Sequence, residues 1–160
     1  MNRHPDTEEA IRRGQLCPYC GKDTVYHKTS DMVYRKDYGP IWMCAPCQAW
    51  VGVHHAGPKA LGRVANAELR MWKKMAHDAF DPLWKRKVQY GIRKDAGLAQ
   101  GRNYKQFKNA CRNKAYTWLA KAMGLPSEHC HVGMMTVVQC KQVIALCEPF
   151  LQPRKPELAT

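Results

Sequence analysis

Residues 17–47 read CPYCGKDTVYHKTSDMVYRKDYGPIWMCAPC, and the Cys pairs at the two ends, Cys17-Pro18-Tyr19-Cys20 and Cys44-Ala45-Pro46-Cys47, decide how the chain folds. A CxxC turn lets two sulfurs approach one ion, and two such turns complete a closed tetrahedron. The 23 residues between the pairs are slightly more than the common spacing of a four-thiolate site and have the length of a β-hairpin. Gly21 after the first pair favours a turn sharp enough to aim backbone N–H groups at sulfur. A redox CxxC normally stands alone beside a βαβ unit, and the sequence offers none. Cys17, Cys20, Cys44 and Cys47 are therefore expected to hold one structural Zn2+ in a zinc ribbon, with no open coordination position for catalysis.

Around this framework the chain is turn-rich. Thr24–Lys28 and Met32–Lys36 favour β-structure and are separated by Ser30-Asp31, with Gly39-Pro40 as the next turn. Residues 1–15 show no sustained period and are expected to be a flexible lead-in; 16–57 form the ribbon, too short to hold itself together by burial alone. Residues 58–150 form the helical region. Pro58 predicts a helix over 59–80, with Leu69, Trp72, Ala76, Phe80 and Leu83 as its apolar stripe and Asp81-Pro82 as its break or kink. A basic connector with no clear period, open to partial helix, KRKVQYGIRKDAGLAQGRN, occupies 85–103.

A second helix is expected from Asn103, with Gln106 completing a capping box and Gly124-Leu125-Pro126 ending it. Its stripe is Tyr104, Phe107, Cys111, Ala115, Trp118 and Ala122. Thr136 and Gln139 predict a third helix to about Cys147, and Pro149, Pro153 and Pro156 mark a loose tail over 151–160. The fold class that follows is α+β: an N-terminal zinc ribbon, a small antiparallel β-sheet, packed on a three-helix C-terminal unit.

The chain has 160 residues, with 26 Lys and Arg against 13 Asp and Glu, a net charge of +13. Its 45% hydrophobic and 24% charged content is that of a globular protein with a modest core, not of a disordered tail. No run of eighteen apolar residues exists and the N-terminus lacks a secretory apolar stretch, so a cytoplasmic location is expected. A reducing compartment leaves metal ligation or burial for the eight Cys. Cys111, Cys140 and Cys147 fall on apolar stripes and are read as core. His129-Cys130-His131 is a cluster that matches no closed zinc pattern, and a second ion there is not expected.

The charge is concentrated. Residues 61–120 hold fourteen Lys and Arg against four Asp and Glu. Arg70, Lys73, Lys74, Lys85, Arg86, Lys87, Arg93, Lys94, Arg102, Lys105, Lys108 and Arg112 are candidate phosphate contacts that would release counterions from DNA or RNA. In the ribbon, Tyr26, Tyr34, Tyr38, Trp42 and Trp50 alternate with Lys22, Lys28, Arg35 and Lys36, a composition suited to stacking unpaired bases, although Trp42 and Trp50 read first as packing. A basic surface can equally dock on an acidic protein, so the alternative is an interaction module that inhibits a host nucleic-acid-processing or defence complex. His77, Asp78 and Asp81 are too common a helix-surface grouping to argue for a hydrolase, and no phosphate loop or nucleophile motif accompanies them; catalysis is not expected. A membrane partner is not expected either.

Cys44-Ala45-Pro46-Cys47 running into Trp50-Val51-Gly52, then LGRVANAELR over 61–70, AHDAFDPLW over 76–84, AYTWLA over 115–120 and CHVGM over 130–134, resembles the zinc-finger-containing domain family of phage and prophage proteins. The likeness covers most of residues 17–147. It implies a zinc ribbon followed by helices and a phage or bacterial setting, and it implies little about activity. This chain departs from the family pattern in its longer basic stretch between Trp84 and Ala115.

Overall fold

The computed structural model describes residues 6–55 and 57–152. Residues 1–5 of the expected lead-in and 153–160 of the expected tail lie outside the described residues. The architecture is α+β: a three-stranded antiparallel sheet in the N-terminal half, with β1 (Val25–His27), β2 (Ile41–Cys44) and β3 (Ala49–Gly52) in that spatial order, and α-helices C-terminal to it. The chain divides into two compact units. One runs up to Lys73 and includes His131–Val138; the other comprises Lys74–Cys130 and the chain from Gln139 onward.

In the first unit, part of the expected lead-in is a helix, α1 (Thr7–Arg12). Asp6 caps it by accepting from the Glu9 N–H at 3.0 Å, and Glu9 pairs with Arg12 and Arg13. Ala10 and Leu16 are buried, and Thr24 donates to the Gly14 carbonyl, so this segment is part of the packing. Strand β1 matches its expectation, and Tyr26 faces Trp42 across the β1–β2 pair with ring centroids 5.3 Å apart. Residues 32–36 are a turn and not a strand. The cause is Asp37, whose Oδ1 accepts the Ser30 and Gly39 backbone N–H groups at 3.1 and 2.8 Å and folds the segment back over buried Ser30.

The expected helix start at Pro58 is also displaced. Residues 58–65 run beside β3 through bridges Val53↔Ala60 and Trp50↔Ala65, and α2 spans Ala67–Lys94. Asn66 provides the start signal, its Oδ1 accepting the Leu69 N–H at 3.0 Å. The glycine pair Gly62 and Gly133 brings the distant 131–138 segment into this unit. A Cβ on Gly62 would meet the Gly133 carbonyl oxygen at 2.0 Å, and one on Gly133 would meet the Leu61 oxygen at 2.7 Å. The two backbones touch, and Arg63 fastens them by donating its N–H to the Gly133 oxygen at 3.1 Å and its Nε to the Met134 oxygen at 2.8 Å.

Helix α2 passes through Pro82 instead of ending there. An internal proline costs about 3 kcal/mol. Burial of Phe80 and Val88 contributes about 1.5–3 kcal/mol each, before Trp84 is counted, so packing outweighs the break. The basic connector is consequently structured: α2 reaches Lys94, a short 3-10 helix covers Ala96–Ala99, and α3 spans Gly101–Met123. Helix α3 begins after Gln100 with no side-chain cap, two residues before the expected Asn103 cap, and ends at Gly124 as expected, in the left-handed conformation. Cys111, Ala115, Tyr116, Leu119 and Ala120 are its buried residues, whereas Trp118 and Ala122 of the expected stripe are exposed. Phe80 and Tyr116 stack tilted at 4.6 Å in the core of the second unit. Helix α4 (Val137–Leu151) follows Thr136 as expected and buries Cys140, Val143 and Cys147, but it continues through Pro149.

Gly62→Ala is expected to lower the unfolding free energy by about 1–3 kcal/mol through overpacking. Gly52→Ala, whose methyl would meet the Leu61 Cδ1 at 3.4 Å, should show little of this loss. Urea unfolding followed by circular dichroism with zinc in excess compares the two.

Candidate metal centre

The two CxxC turns flank the sheet: the first precedes β1, and the second joins β2 to β3 with Cys44 as the last residue of β2. Antiparallel pairing of β1 with β2 and of β2 with β3 brings the turns to the same end. The four Sγ atoms of Cys17, Cys20, Cys44 and Cys47 all lie within 4.8 Å of one another, with Cys20 and Cys44 at 3.7 Å. A tetrahedron with Zn–S bonds of about 2.3 Å has edges of about 3.8 Å, so the donor set fits zinc.

The turns are built alike. Cys17, the first Cys of the first pair, and Cys44, the first of the second, are buried; Cys20 is exposed and Cys47 half-buried. Each turn closes with a residue of positive φ, Gly21 at 71° and Gln48 at 49°. The Gly21 N–H bonds the Cys17 oxygen at 2.9 Å, and the Gln48 N–H bonds the Ala45 oxygen at 3.1 Å. The Tyr19 and Cys20 N–H groups point at the Cys17 sulfur and the Lys22 N–H at the Cys20 sulfur, which orients the ligands and offsets their negative charge.

These surroundings set the thiol acidities. Burial pushes the Cys17 thiol up, and burial with neighbouring thiols pushes Cys47 up to about 12. The Lys22 N–H pulls Cys20 down to about 7. Cys20 is therefore the readiest thiolate, and zinc must displace protons from Cys17 and Cys47.

The centre is packed against the rest of its unit. Cys17 and Cys44 cluster with Ala49 and Val64, and Trp42, Cys47 and Val51 lie against them. Tyr19, inside the first turn, accepts the Asn66 N–H at 3.1 Å through its hydroxyl, and burial raises its phenol pKa. Trp50, three residues after Cys47, lies under the Arg70 guanidinium at 3.5 Å and donates its indole N–H to the Tyr34 hydroxyl at 2.8 Å. Sequence reasoning missed Tyr19 and Asn66. The signal for Asn66 was present as a helix-capping residue two positions before Glu68, whereas nothing in the sequence marks Tyr19 as its partner.

The candidate phosphate contacts are divided between the units. Arg70 belongs to the first, where burial disfavours its charged form and it bonds the Ala65 oxygen. The other ten members of the set beyond Lys73 lie in the second unit. Lys74 pairs with Asp78 at 2.6 Å, and Lys85 with Asp81 at 3.7 Å. Arg86 donates to the Phe150 oxygen at 3.0 Å. Lys94 lies over Tyr90 and Arg112 over Tyr116, at 5.0 and 5.2 Å from the ring centroids. Among the described residues, Lys87, Arg93, Lys94, Arg102, Lys105, Lys108 and Arg112 have no carboxylate within ion-pair distance.

His77 Nδ1 stands 3.4 Å from Asp81 Oδ1, which also accepts the Trp84 indole N–H at 3.2 Å. Burial opposes ionisation of Asp81, but His77, Trp84 and Lys85 outweigh it and hold the carboxyl below its usual range. His129-Cys130-His131 gathers no further ligand: among the described residues, the four thiols are the one cluster of three or more metal-ligating side chains. Cys130 is buried, which raises its thiol pKa.

A short antiparallel sheet carrying a closed four-Cys centre defines a zinc-finger protein with one structural Zn2+. The chain belongs to the zinc-finger-containing domain family, whose model matches residues 13–97 and 92–149. The two matched segments meet at 92–97, inside the basic stretch that α2 and α3 share. No curated protein and no solved structure matches the chain.

Zinc binding at pH 7 is expected to release at least two protons per ion, from Cys17 and Cys47, and apparent affinity should rise with pH and fall on acidification. Calorimetry in buffers of different ionisation enthalpy counts the protons. Chelation should unfold the sheet, as seen by loss of Trp42 and Trp50 burial.

Proposed function

We propose that this protein is a zinc-stabilised nucleic-acid-binding factor, non-enzymatic, acting as a phage accessory protein in the cytoplasm of a bacterial host. The reading rests chiefly on the cations of the second unit that lack carboxylate partners among the described residues. Over residues 74–130 and 139–152 the sequence holds thirteen Lys and Arg against five Asp and Glu. The bare cations concentrate at the end of α2 and the start of α3, two helices joined by a short 3-10 turn. Gly91 of α2 lies so near Phe107 of α3 that a Cβ there would meet the ring at 2.4 Å. The helices therefore approach closely at this end, and Arg93, Lys94, Arg102 and Lys105 share the tip of one helical hairpin.

Four positive groups on such a tip repel one another, and a polyanion relieves that repulsion while releasing its own counterions. Phosphate contacts of this kind give affinity without base preference. The phage setting is supported by the family resemblance alone.

Fluorescence anisotropy with labelled DNA and RNA at several salt concentrations tests the reading. Binding should weaken steeply with salt. The triple variant Lys87→Gln, Arg93→Gln, Lys94→Gln should flatten the slope of log K against log salt by about 3 on duplex DNA, with zinc content unchanged. Absence of binding at low salt, or an unaltered slope in the variant, would sink the proposal and favour an acidic protein partner.

A further inference from the structure

A cavity of about 490 Å³ opens in the second unit, whereas the zinc ligands belong to the first. Leu83 of α2, Trp118 of α3 and Phe150 of α4 form its apolar wall. Arg86, Lys87 and Lys114 stand around it, and no carboxylate lines it among the described residues. We propose that this cavity takes one unpaired nucleotide of a bound strand, its base stacked against Trp118 and its phosphate held by the three cations. The proposal deepens the nucleic-acid reading and rests on it.

Two features of the cavity select the ligand. Trp118 and Phe150 are 36% and 54% exposed, a large apolar area for a single locus on a charged surface. Their rings meet edge to face, with centroids 5.5 Å apart and planes at 87°, so they present two walls at right angles. A planar group can lie flat on one wall and abut the other. The second feature is charge. Arg86 is anchored by its bond to the Phe150 oxygen at 3.0 Å, which fixes the guanidinium beside the aromatic wall. Lys87 and Lys114 come from α2 and α3 and have no carboxylate within ion-pair distance among the described residues.

A flat apolar body joined to a compact anion meets both demands at once, and a nucleotide has that construction. A protein side chain offers either the ring or the charge at one position. The volume falls within the range of single small-molecule sites and is too small for a run of peptide. Arg86 and Lys87 also continue the α2 run that carries Arg93 and Lys94, so a strand following the hairpin tip by its phosphates reaches the cavity mouth. Leu83 and Phe150 offer a base no hydrogen bond, so the cavity accepts bases chiefly by stacking and discriminates little among them.

The test measures binding of labelled oligothymidylate, an abasic oligomer of the same length, and a duplex to the wild-type protein and to Trp118→Ala and Trp118→Phe. Stacking of one base is worth about 1–3 kcal/mol, so wild type should prefer thymidylate over the abasic strand by roughly 5- to 150-fold. Trp118→Ala should abolish that preference while leaving abasic and duplex binding unchanged, and Trp118→Phe should retain most of it. Zinc content and circular dichroism of the variants, together with intact abasic binding, exclude misfolding as the cause.

Equal wild-type affinity for thymidylate and abasic strands, or an equal loss on all three ligands in Trp118→Ala, would overturn the cavity assignment while the phosphate-binding hairpin stands. Failure of the wild type to bind any of the three removes both proposals. Competition at Trp118 by an acidic aromatic peptide, without competition by thymidylate, overturns the assignment in favour of protein docking.

Discussion

Four sulfurs drawn to one ion are the constraint on which the first unit depends. Its strands are three, four and four residues long, and a sheet of that size is marginal in water without an added crosslink. The apolar cluster beside the centre consists of small side chains, Ala49 and Val64, and two of the ligands themselves. Cys17 and Cys44 thus act twice, as metal donors and as core, while Cys20 and Cys47 face outward. Because two ligands belong to that cluster, metal binding and packing beside the centre reinforce each other.

From the ion, order spreads to the start of α2 through two aromatic side chains. Tyr19 leaves the first turn and holds the Asn66 backbone N–H; Trp50 follows the second turn and carries Arg70 on its face. A partly buried cation on an indole is worth about 0.5–2 kcal/mol, and Arg70 also bonds the Ala65 oxygen, while the Ala65 N–H is paired with the Trp50 oxygen. One arginine thereby reports on both the sheet and the helix cap. The same unit recruits residues 131–138 from far along the chain by backbone contact at Gly62 and Gly133, where side chains of any size would keep the segments apart.

The metal ligands were legible because coordination chemistry acts through residue type and spacing, both of which are written in the sequence. The fold class, the end of α3 at Gly124 and the start of α4 after Thr136 were legible for the same local reason. The misreadings share an opposite cause. Pro82 and Pro149 are strong local breaks, but Pro82 lies between buried Phe80 and Trp84, where tertiary packing decides, and Pro149 falls in the last turn of α4, two residues before its end. Residues 32–36 have strand composition, yet Asp37 captures two backbone N–H groups and makes a turn, a contact that β-propensity does not register. Helix α1 is six residues long, too short for periodicity to reveal, although Asp6 and Glu9 carry the pattern of a cap. Trp118 kept its place in the helical period, but the period alone could not say that its face is left open.

A zinc ion with four protein thiolates has no position left for a ligand, so recognition has to be looked for elsewhere on the molecule. Net charge alone does not locate it, because cations differ in how far their field is already spent. Arg70 is committed to Trp50 and Ala65, and Lys74 and Lys85 lie within reach of Asp78 and Asp81. At the α2–α3 tip the Asp95 carboxylate is taken up by the Gly97 N–H, and among the described residues Arg93, Lys94, Arg102 and Lys105 have no carboxylate within ion-pair distance, so their field extends into solvent over a screening length of about 8 Å at physiological salt. A surface that gains charge without gaining partners lowers the stability of the hairpin by self-repulsion, and binding an anion there recovers what was lost. On the proposed reading, the cations left without a close carboxylate, more than the number of lysines, are what a polyanion would meet on the second unit.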